Sequence, residues 1–234
     1  MNRQTVRVLL VDDHAVVREG YRTLLEKHDG LKVVAEAANA AAAYQSYKEA
    51  RPDVVVMDIS MPGRGGIDAI EHIRRLDAQA RILVFTMHNA APYALQAFRA
   101  GARGYVTKSS PPHILVAAVR DVAGGRTVIC PEMSAVLALD RIQDERNALD
   151  ALSPREFEIF RMIIDAKSTD EIAATLNISR KTAGNYHYSI KAKLGVASDI
   201  ELLYLGLRQG LVSPVPSMSE QAAGDMASST PPRR

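Results

Sequence analysis

The feature of this sequence that most constrains its fold is a regular alternation of short apolar runs with longer stretches of helical spacing. The strand candidates are 6–11, 31–35, 54–57, 82–85 and 104–106, and helical patterns occupy 15–27, 40–50, 67–76, 90–100 and 112–123. Strands that alternate with helices indicate βαβ units, and therefore a parallel sheet covered by helices on both faces. We predict an α/β domain over residues 1–123, built on a doubly wound, five-stranded parallel sheet.

Polar side chains stand at the ends of these predicted strands. They are Asp12 and Asp13 after the first strand, Asp58 after the third, Thr86 at the end of the fourth and Lys108 after the fifth. The carboxyl ends of parallel strands share one edge of the sheet, and ligands bind at that edge in such folds. We therefore expect these five side chains to form one pocket.

The residue types in this pocket predict phosphoryl chemistry. Three carboxylates that converge are costly unless a cation neutralises them, and hard oxygen ligands suit Mg²⁺. Asp58 is the candidate nucleophile, which would form an acyl phosphate. Lys108 can place its ammonium against the phosphoryl oxygens, and Thr86 can donate a hydroxyl hydrogen bond to one of them.

Each of these residues alone has a simpler interpretation. An Asp-Asp pair after a strand is commonly a helix cap in a solvated turn, and a single lysine is commonly a surface charge. The prediction rests on all five occurring in this order on this strand pattern. A phosphatase of the haloacid-dehalogenase type also uses a nucleophilic aspartate and Mg²⁺, but its nucleophile follows the first strand in a D-x-D pattern that this chain lacks. No other nucleophile–base pair indicates an enzyme.

The remainder of the chain changes character. We interpret 124–150 as a linker, 151–212 as a second domain without strands, and 213–234, which is rich in Pro, Ser and Ala, as a disordered tail. Cys130 is the only cysteine, which excludes an intrachain disulfide. No run approaches the roughly 18 apolar residues of a membrane helix, so we expect a cytoplasmic protein without membrane contact.

The second domain carries the signals of a helix-turn-helix. Ser153, Pro154 and Glu156 mark a helix start, as a cap, a first helical residue and a third-position acid. A short helix then begins after Ser168, and 177–179 form a tight turn before a longer helix that runs to about residue 194. Two helices around such a turn indicate a helix-turn-helix, whose second helix enters the major groove of DNA.

Positive charge is concentrated on that second helix. The chain as a whole has a formal net charge of only +2, yet 179–195 contain Arg180, Lys181, Lys191 and Lys193 and no acid. Contacts with DNA phosphates require this distribution, so the segment is a candidate recognition helix for double-stranded DNA.

The first domain resembles the receiver of two-component response regulators, which has a flavodoxin- or CheY-like fold. The resemblance covers 5–123 and rests on the acidic pair, on Asp58-Ile59-Ser60-Met61-Pro62-Gly63 (close to D-x-x-M-P-G), on Thr86 and on Tyr105-Val106-Thr107-Lys108. It implies that Asp58 accepts a phosphoryl group from a sensor histidine kinase and that Thr86 and Lys108 sense this group. It also implies that Asp12, Asp13 and Asp58 hold Mg²⁺. Tyr105 would be the aromatic switch residue that turns inward.

The second domain is similar to the LuxR-type output domain of the NarL/FixJ family. The matching residues are Leu152-Ser153-x-Arg155-Glu156, Glu171-Ile172-Ala173-x-x-Leu176, Ile178-Ser179-x-x-Thr182 and Ile190-x-x-Lys193-Leu194-Gly195-Val196. Tyr186-His187-Tyr188 and Asp199-Ile200-Glu201-Leu202 resemble the GacA/UvrY branch. Where the family has T-V-x-x-H, this chain has 182–186 as Thr-Ala-Gly-Asn-Tyr.

The resemblance also indicates DNA contacts. The candidates are Arg180, Lys181, Thr182, Gly184, Asn185, Tyr188 and Lys191. Gly184, Asn185 and Tyr188 fall where the family reads bases, and Asn185 suits adenine. Tyr188 suits a phosphate contact equally well. Gly184 either permits close backbone approach to DNA or is simply tolerated. For His187, which has no partner at ligand spacing, we expect an exposed or DNA-facing side chain.

These observations lead to one hypothesis and two rivals. Phosphorylation of Asp58 would pull Thr86 and Tyr105 inward, free the recognition helix from the receiver and favour a homodimer that binds two half-sites. The rivals are a LuxR-type receptor that senses a small molecule, which the acidic pocket argues against, and a phosphorylation-independent regulator that keeps the fold. Mg²⁺-dependent binding of a beryllofluoride phosphoryl mimic would discriminate the phosphorylation hypothesis from the phosphorylation-independent regulator.

Overall fold

A computed structural model describes residues 5–61, 65–142 and 148–212, without the side chains of 141 and 142. The tail at 213–234 lies outside the described residues, as do Pro62 and Gly63 of the loop motif. No helix in the described ranges is long and apolar enough to cross a membrane.

A parallel sheet with helices on both faces forms the first half of the chain. The strands are β1 (Val6–Val11), β2 (Leu31–Ala37), β3 (Val54–Met57), β4 (Ile82–Thr86), β5 (Gly104–Thr107) and β6 (Val128–Ile129), in the order β2-β1-β3-β4-β5-β6. The helices between them are α1 (Ala15–Glu26), α2 (Ala40–Ala50), α3 (Gly66–Leu76), α4 (Ala91–Ala100) and α5 (Pro112–Ala123). The predicted α/β fold is confirmed.

Within the described residues the sheet has six strands, and the prediction of five was wrong on this point. Val128 pairs with Gly104 and Ile129 with Tyr105, so β6 extends the sheet beyond β5 inside the segment predicted as a linker. The same segment continues as α6 (Pro131–Ile142), and Cys130 and Met133 are buried against the sheet domain. A strand of two residues is too short to produce an alternating pattern, which is why the sequence did not reveal it.

The central strands are buried on both faces, as expected for a parallel sheet between two helix layers. All four residues of β3 and all five of β4 are buried, and so is the end of β1. One consequence is close packing at the start of α3. A Cβ added at Gly66 would overlap the carbonyl oxygen of Asp58 and lie 2.6 Å from the Cα of Ile59. Only glycine lets α3 begin directly on the backbone of Asp58.

The second half of the described chain is helical. After a 3-10 turn (Ala148–Ala151) come α7 (Pro154–Ile164), α8 (Thr169–Leu176), α9 (Arg180–Leu194) and α10 (Asp199–Arg208). The predicted cap of Ser153 and Glu156 is present as a capping box on α7. Ser168 and Glu171 form another on α8, and Ser179 caps α9. Asn177 ends α8 in the left-handed region, with φ 51°, and so makes the tight turn into α9.

The helical domain packs on the sheet domain through α7, which lies against α3 and α4. Phe157 is fully buried, and its ring meets the ring of Tyr93 edge to face with centroids 5.6 Å apart. The side-chain nitrogen of Gln96, in α4, donates to the carbonyl oxygens of Leu149 and Leu152 at 3.2 Å each. Apolar packing and buried hydrogen bonds therefore join the two parts.

We expect Gly66→Ala to lower the free energy of unfolding of the sheet domain by about 2 kcal/mol, because the new methyl group would meet backbone atoms that cannot move aside. Urea unfolding measures the change. Gly20→Ala is the matched control, since Gly20 lies in α1 with nothing within 4 Å of an added Cβ. That control should be neutral or slightly stabilising, by up to about 1 kcal/mol. Equal stability of the two variants would contradict the packing argument.

Candidate functional site

An acidic pocket lies at the carboxyl ends of the central strands, and Lys108 is its centre. The Lys108 ammonium is 2.5 Å from Oδ2 of Asp12 and 2.6 Å from Oδ2 of Asp58. The side chains are buried, with 9% of Lys108, 4% of Asp12 and 3% of Asp58 exposed. Strands β1, β3 and β5 end at one edge of the sheet, which brings these three residues together as the sequence predicted.

The contacts of Asp58 and Lys108 favour the ionised form of both side chains. Burial alone would raise the pKa of Asp58, but hydrogen bonds from Lys108 and from the backbone N–H of Ser60 outweigh it and hold that pKa below its ordinary value of 3.8. Burial alone would lower the pKa of Lys108, and its bonds to Asp12 and Asp58 raise it instead. Asp58 is therefore a carboxylate, as a nucleophile must be.

A cation can be held beside Lys108. Ligand atoms of Asp12, Asp13 and His14 lie within 4.8 Å of one another. Among the described residues, Oδ1 of Asp13 is buried and makes no hydrogen bond, although Nδ1 of His14 lies 3.1 Å away. An unsatisfied buried carboxylate oxygen fits a hard cation. His14 was not among the predicted ligands, whereas Asp58, the predicted third ligand, is engaged by Lys108 and Ser60 in this structure.

The hydroxyl of Thr86 borders the pocket. Its Oγ1 lies 3.0 Å from Oγ of Ser60 and accepts from the backbone N–H of His88 at 3.4 Å. The Tyr105 hydroxyl donates to the carbonyl oxygen of His88 at 2.9 Å, and the Tyr105 side chain is fully buried. The Tyr105 ring faces inward in this structure. Burial raises the pKa of the Tyr105 hydroxyl, so it stays protonated.

His88 continues this chain of contacts toward α7. The His88 ring stacks on the ring of Tyr93, with centroids 3.8 Å apart. The Arg161 guanidinium lies over the Tyr93 ring, 5.1 Å from its centroid. Burial, helped by Arg161, lowers the pKa of His88 to about 4, so the imidazole is neutral near pH 7. A continuous line of contacts therefore leads from Thr86 through His88 and Tyr93 to α7. The sequence did not single out His88 or Arg161.

A second contact joins α7 to the start of α3. Glu158 accepts a hydrogen bond from the backbone N–H of Gly65, and its other carboxylate oxygen is 2.7 Å from a guanidinium nitrogen of Arg155. The same nitrogen of Arg155 lies 3.8 Å from Oδ1 of Asp68. Burial, with Asp68 nearby, raises the pKa of Glu158 despite the N–H of Gly65 and the charge of Arg155.

The candidate recognition helix α9 presents its basic start to solvent. Five of the seven candidate DNA contacts are exposed: Arg180, Lys181, Thr182, Asn185 and Tyr188. Arg180 pairs with Asp170 of α8 at 3.2 Å, and Lys191, which is partly buried, with Asp199 at 3.1 Å. An added Cβ at Gly184 would meet nothing within 4 Å, so packing within the protein does not require this glycine.

The receiver does not cover the exposed candidate contacts of α9 in this structure. His187, expected to be exposed or to face DNA, has a partner in the following helix. Its Nε2 lies 2.7 Å from Oδ1 of Asp199, at the start of α10, and 22% of its side chain is exposed. Because Asp199 belongs to the next helix, the spacing of residues within α9 could not predict that it pairs with His187.

We expect Lys108→Ala to raise the pKa of Asp58 above its ordinary range, because burial would then act without the opposing ammonium. Carbon-13 NMR titration of the carboxylate, with divalent metal chelated, measures this. In the wild type the lowered pKa of Asp58 stabilises the fold above about pH 3.8, and this contribution is lost as pH falls through the folded-state pKa.

In Lys108→Ala the raised pKa of Asp58 would make its ionisation destabilise the fold. The unfolding free energy of this variant should therefore fall below that of the wild type by an amount that grows from acid to neutral pH and reaches about 3 kcal/mol. Lys32→Ala, at an exposed lysine of β2, is the control and should track the wild type at every pH. A deficit that does not depend on pH would contradict the ionic role of Lys108.

Comparison with known proteins identifies both parts of the chain. A family model described as the response regulator receiver domain matches residues 8–120, and one for bacterial regulatory proteins of the luxR family matches 150–205. The response regulator UvrY of Escherichia coli is 39% identical over 208 residues, which is 88% of this chain and 95% of UvrY. The response regulator GacA of Pseudomonas aeruginosa is 36% identical over 209 residues, covering 88% of this chain and 98% of GacA.

A solved structure supports the same assignment. RcsB from Salmonella enterica serovar Typhimurium, bound to a promoter in the presence of the phosphomimetic BeF₃⁻, matches with a TM-score of 0.68 and 30% identity over 86% of this chain and 98% of the RcsB chain. The chain therefore belongs to the two-component response regulators that join a receiver domain to a LuxR-type DNA-binding domain, a family of transcription regulators rather than of enzymes.

Proposed function

We propose that Asp58 accepts a phosphoryl group from a sensor histidine kinase and that this modification controls the binding of double-stranded DNA by α9. The observation that carries the proposal is the ionised Asp58 held by Lys108 at the sheet edge, in a chain whose family is that of response regulators. We further propose that 1–123 act as the receiver, extended by β6 of the 124–150 segment, that the rest of 124–150 acts as the linker, and that 151–212 act as the DNA-binding domain.

Receiver domains typically use a divalent metal in their acidic pocket. Asp12 and Asp13, together with Asp58 once Lys108 has moved, would hold Mg²⁺. When bound, Mg²⁺ offsets the charge of the incoming phosphoryl group. Asp13 suits this role because its buried Oδ1 makes no hydrogen bond within the described structure.

The side chains of the pocket provide the remaining steps. A carboxylate oxygen of Asp58 attacks phosphorus, the bond to the kinase histidine breaks, and an acyl phosphate forms on Asp58. Lys108 then exchanges its contact with the Asp58 oxygen for one with a phosphoryl oxygen. The hydroxyl of Thr86, which lies 3.0 Å from that of Ser60, turns to donate to another.

The exposed face of α9 supports contacts with DNA. Arg180 and Lys181 would contact phosphates, together with Lys191 when it leaves Asp199. Gly184 lies one turn after Arg180 on the same face of the helix, and Thr182 is exposed at the start of α9. Asn185 would bond adenine through its amide. Tyr188 is 77% exposed, which suits a base or a phosphate contact.

The exposed apolar side chains of α10 support a homodimer. Ile200, Leu203 and Tyr204 are 67%, 38% and 63% exposed, whereas Leu202 on the opposite face is fully buried in the domain. A second copy that covers these side chains would remove apolar surface from water. Two recognition helices held by such a pair would contact half-sites about one helical turn apart.

The test is phosphorylation by acetyl phosphate with Mg²⁺, comparing the wild type, Asp58→Ala and the exposed control Asp29→Ala. We expect label on the wild type and the control only, with tighter dimerisation and DNA binding in the labelled samples. Label is read from phosphate-affinity gels, and the dimer from light scattering. An unlabelled wild type whose DNA binding does not change would sink the proposal and favour a phosphorylation-independent regulator.

We expect Lys181→Ala to weaken binding to all DNA sequences. Because one phosphate contact is lost, the slope of log affinity against log salt concentration should become shallower by about one unit. Asn185→Ala should instead cost about 1–3 kcal/mol on preferred sequences and relax the preference at one base pair. Fluorescence anisotropy across a salt series and a randomised DNA library separate the two effects. Lys48→Ala, at an exposed lysine of α2, is the control, and a comparable loss in that variant would argue against α9 as the DNA-reading helix.

A further inference from the structure

The side chain of Arg18, in α1, reaches back to the backbone that follows β1. Its Nη1 donates to the carbonyl oxygen of Asp12 at 2.6 Å, and its Nε donates to Oε2 of Glu36, in β2, at 3.3 Å. Only 16% of the side chain is exposed. Arg18 therefore ties the residue after β1 to the end of β2 through two hydrogen bonds that the charge of the guanidinium strengthens.

These bonds hold the peptide that joins Asp12 to Asp13. A peptide unit is planar, so fixing its carbonyl oxygen constrains the direction in which the chain continues to the Cα of Asp13. The N–H of Asp12 is held as well, because it donates to the carbonyl oxygen of Ala37 at 3.1 Å. Two consecutive residues of β2, Glu36 through Arg18 and Ala37 directly, therefore set the backbone on which the acidic pair stands.

Asp13 depends on this backbone for its position. The neighbouring carboxylate of Asp12 is held at both oxygens, by the N–H of His14 at 2.8 Å and by Lys108 at 2.5 Å. Oδ1 of Asp13 is buried and has no hydrogen bond within the described structure, which leaves it open to a cation. The place of Asp13 in the site is therefore set by the peptide that Arg18 holds.

Arg18 has two opposite effects on a cation in this site. Its positive charge repels the ion, whereas its hold on the peptide removes the cost of orienting Asp13 when the ion binds. The repulsion is reduced, because Glu36 pairs with the guanidinium at 3.3 Å. Removing a group that orients a metal ligand commonly lowers metal affinity by roughly ten- to a hundredfold. We therefore expect orientation to outweigh repulsion.

We propose that Arg18 is a positioning residue for the metal site: by holding the peptide between Asp12 and Asp13, it orients Asp13 for Mg²⁺ before the ion binds. This inference rests on the Mg²⁺ site of the proposed function. Among the described residues Arg18 contacts the backbone of Asp12 and no carboxylate of the pocket. Its loss should therefore change how much Mg²⁺ phosphorylation requires, and not the rate once the site is saturated.

The direct test is isothermal titration calorimetry of the full chain with Mg²⁺ and no phosphoryl donor. Arg18→Ala should bind Mg²⁺ about tenfold more weakly than the wild type. Arg22→Ala is the matched control. Arg22 is also in α1 and lies 3.5 Å from Oε1 of Glu36, and it has no bond to Asp12 within the part of the chain that the structure describes. This control should bind Mg²⁺ as the wild type does.

Two milder variants act on the same contact. Arg18→Lys keeps the positive charge but loses the planar fork that bonds Asp12 and Glu36 together. Its Mg²⁺ affinity should therefore lie between those of the wild type and Arg18→Ala. Glu36→Gln removes the charge that anchors the guanidinium from β2 and should also weaken Mg²⁺ binding. If Arg18→Ala fails to fold, these two variants decide the question.

A second readout separates positioning from a purely structural role. Labelling of Asp58 by acetyl phosphate is followed across a Mg²⁺ series. Arg18→Ala should need about tenfold more Mg²⁺ to reach half of its maximal rate, while the maximal rate stays that of the wild type. A residue that only ties α1 to β2 would instead lower the free energy of unfolding in urea and leave the half-saturating Mg²⁺ concentration unchanged.

The inference is overturned if Arg18→Ala binds Mg²⁺ as tightly as the wild type or more tightly, since repulsion would then be the larger effect. It is also overturned if Arg22→Ala loses affinity equally, or if Arg18→Lys and Glu36→Gln both match the wild type. A wild type that binds no Mg²⁺ removes the metal site and the inference together. A wild type that binds Mg²⁺ but takes no label contradicts the proposed function alone, because calorimetry still decides the role of Arg18.

Discussion

The ammonium of Lys108 lies between two buried carboxylates, and the arrangement of the sheet edge depends on that contact. Removing a charged group from water costs several kcal/mol, which only close opposite charges and complete hydrogen bonding repay. Lys108 meets this condition at 2.5 Å from Asp12 and 2.6 Å from Asp58. Strands β1, β3 and β5 must therefore end in register. A phosphoryl group on Asp58 changes the charge at this one point, so the surrounding contacts have to adjust.

Two contiguous sets of contacts lead from this pocket to α7. One runs from Thr86 through the loop at His88 to the ring of Tyr93, which meets Phe157. The other runs from the backbone of Asp58 to Gly66, which packs on it, and to the neighbouring N–H of Gly65 that Glu158 accepts. Packed interiors shift between discrete arrangements rather than deform continuously. Under the proposed function, a change at the acceptor would therefore reach the contact between the two domains.

The exposure of α9 limits how this coupling affects DNA. Arg180, Lys181 and Asn185 are exposed while the domains are docked, so docking does not act by covering the helix. What docking fixes is the position of the domain relative to the receiver, and with it the direction of the apolar face of α10. Two half-sites are bound together only when two recognition helices have the correct separation. Under the proposed function, phosphorylation would act on that geometry.

The sequence alone determined the local structure and the composition of the pocket. Periodicity revealed β1 to β5 and their helices, Ser153 and Glu156 marked the start of a helix, and the shared edge of parallel strands predicted that Asp58 and Lys108 meet. Tertiary structure alone decided β6, the pairing of His187 with Asp199, and the contact of Glu158 with Gly65, 93 residues apart. Periodicity reports which face of an element is buried, and it carries no information about which distant group that face meets.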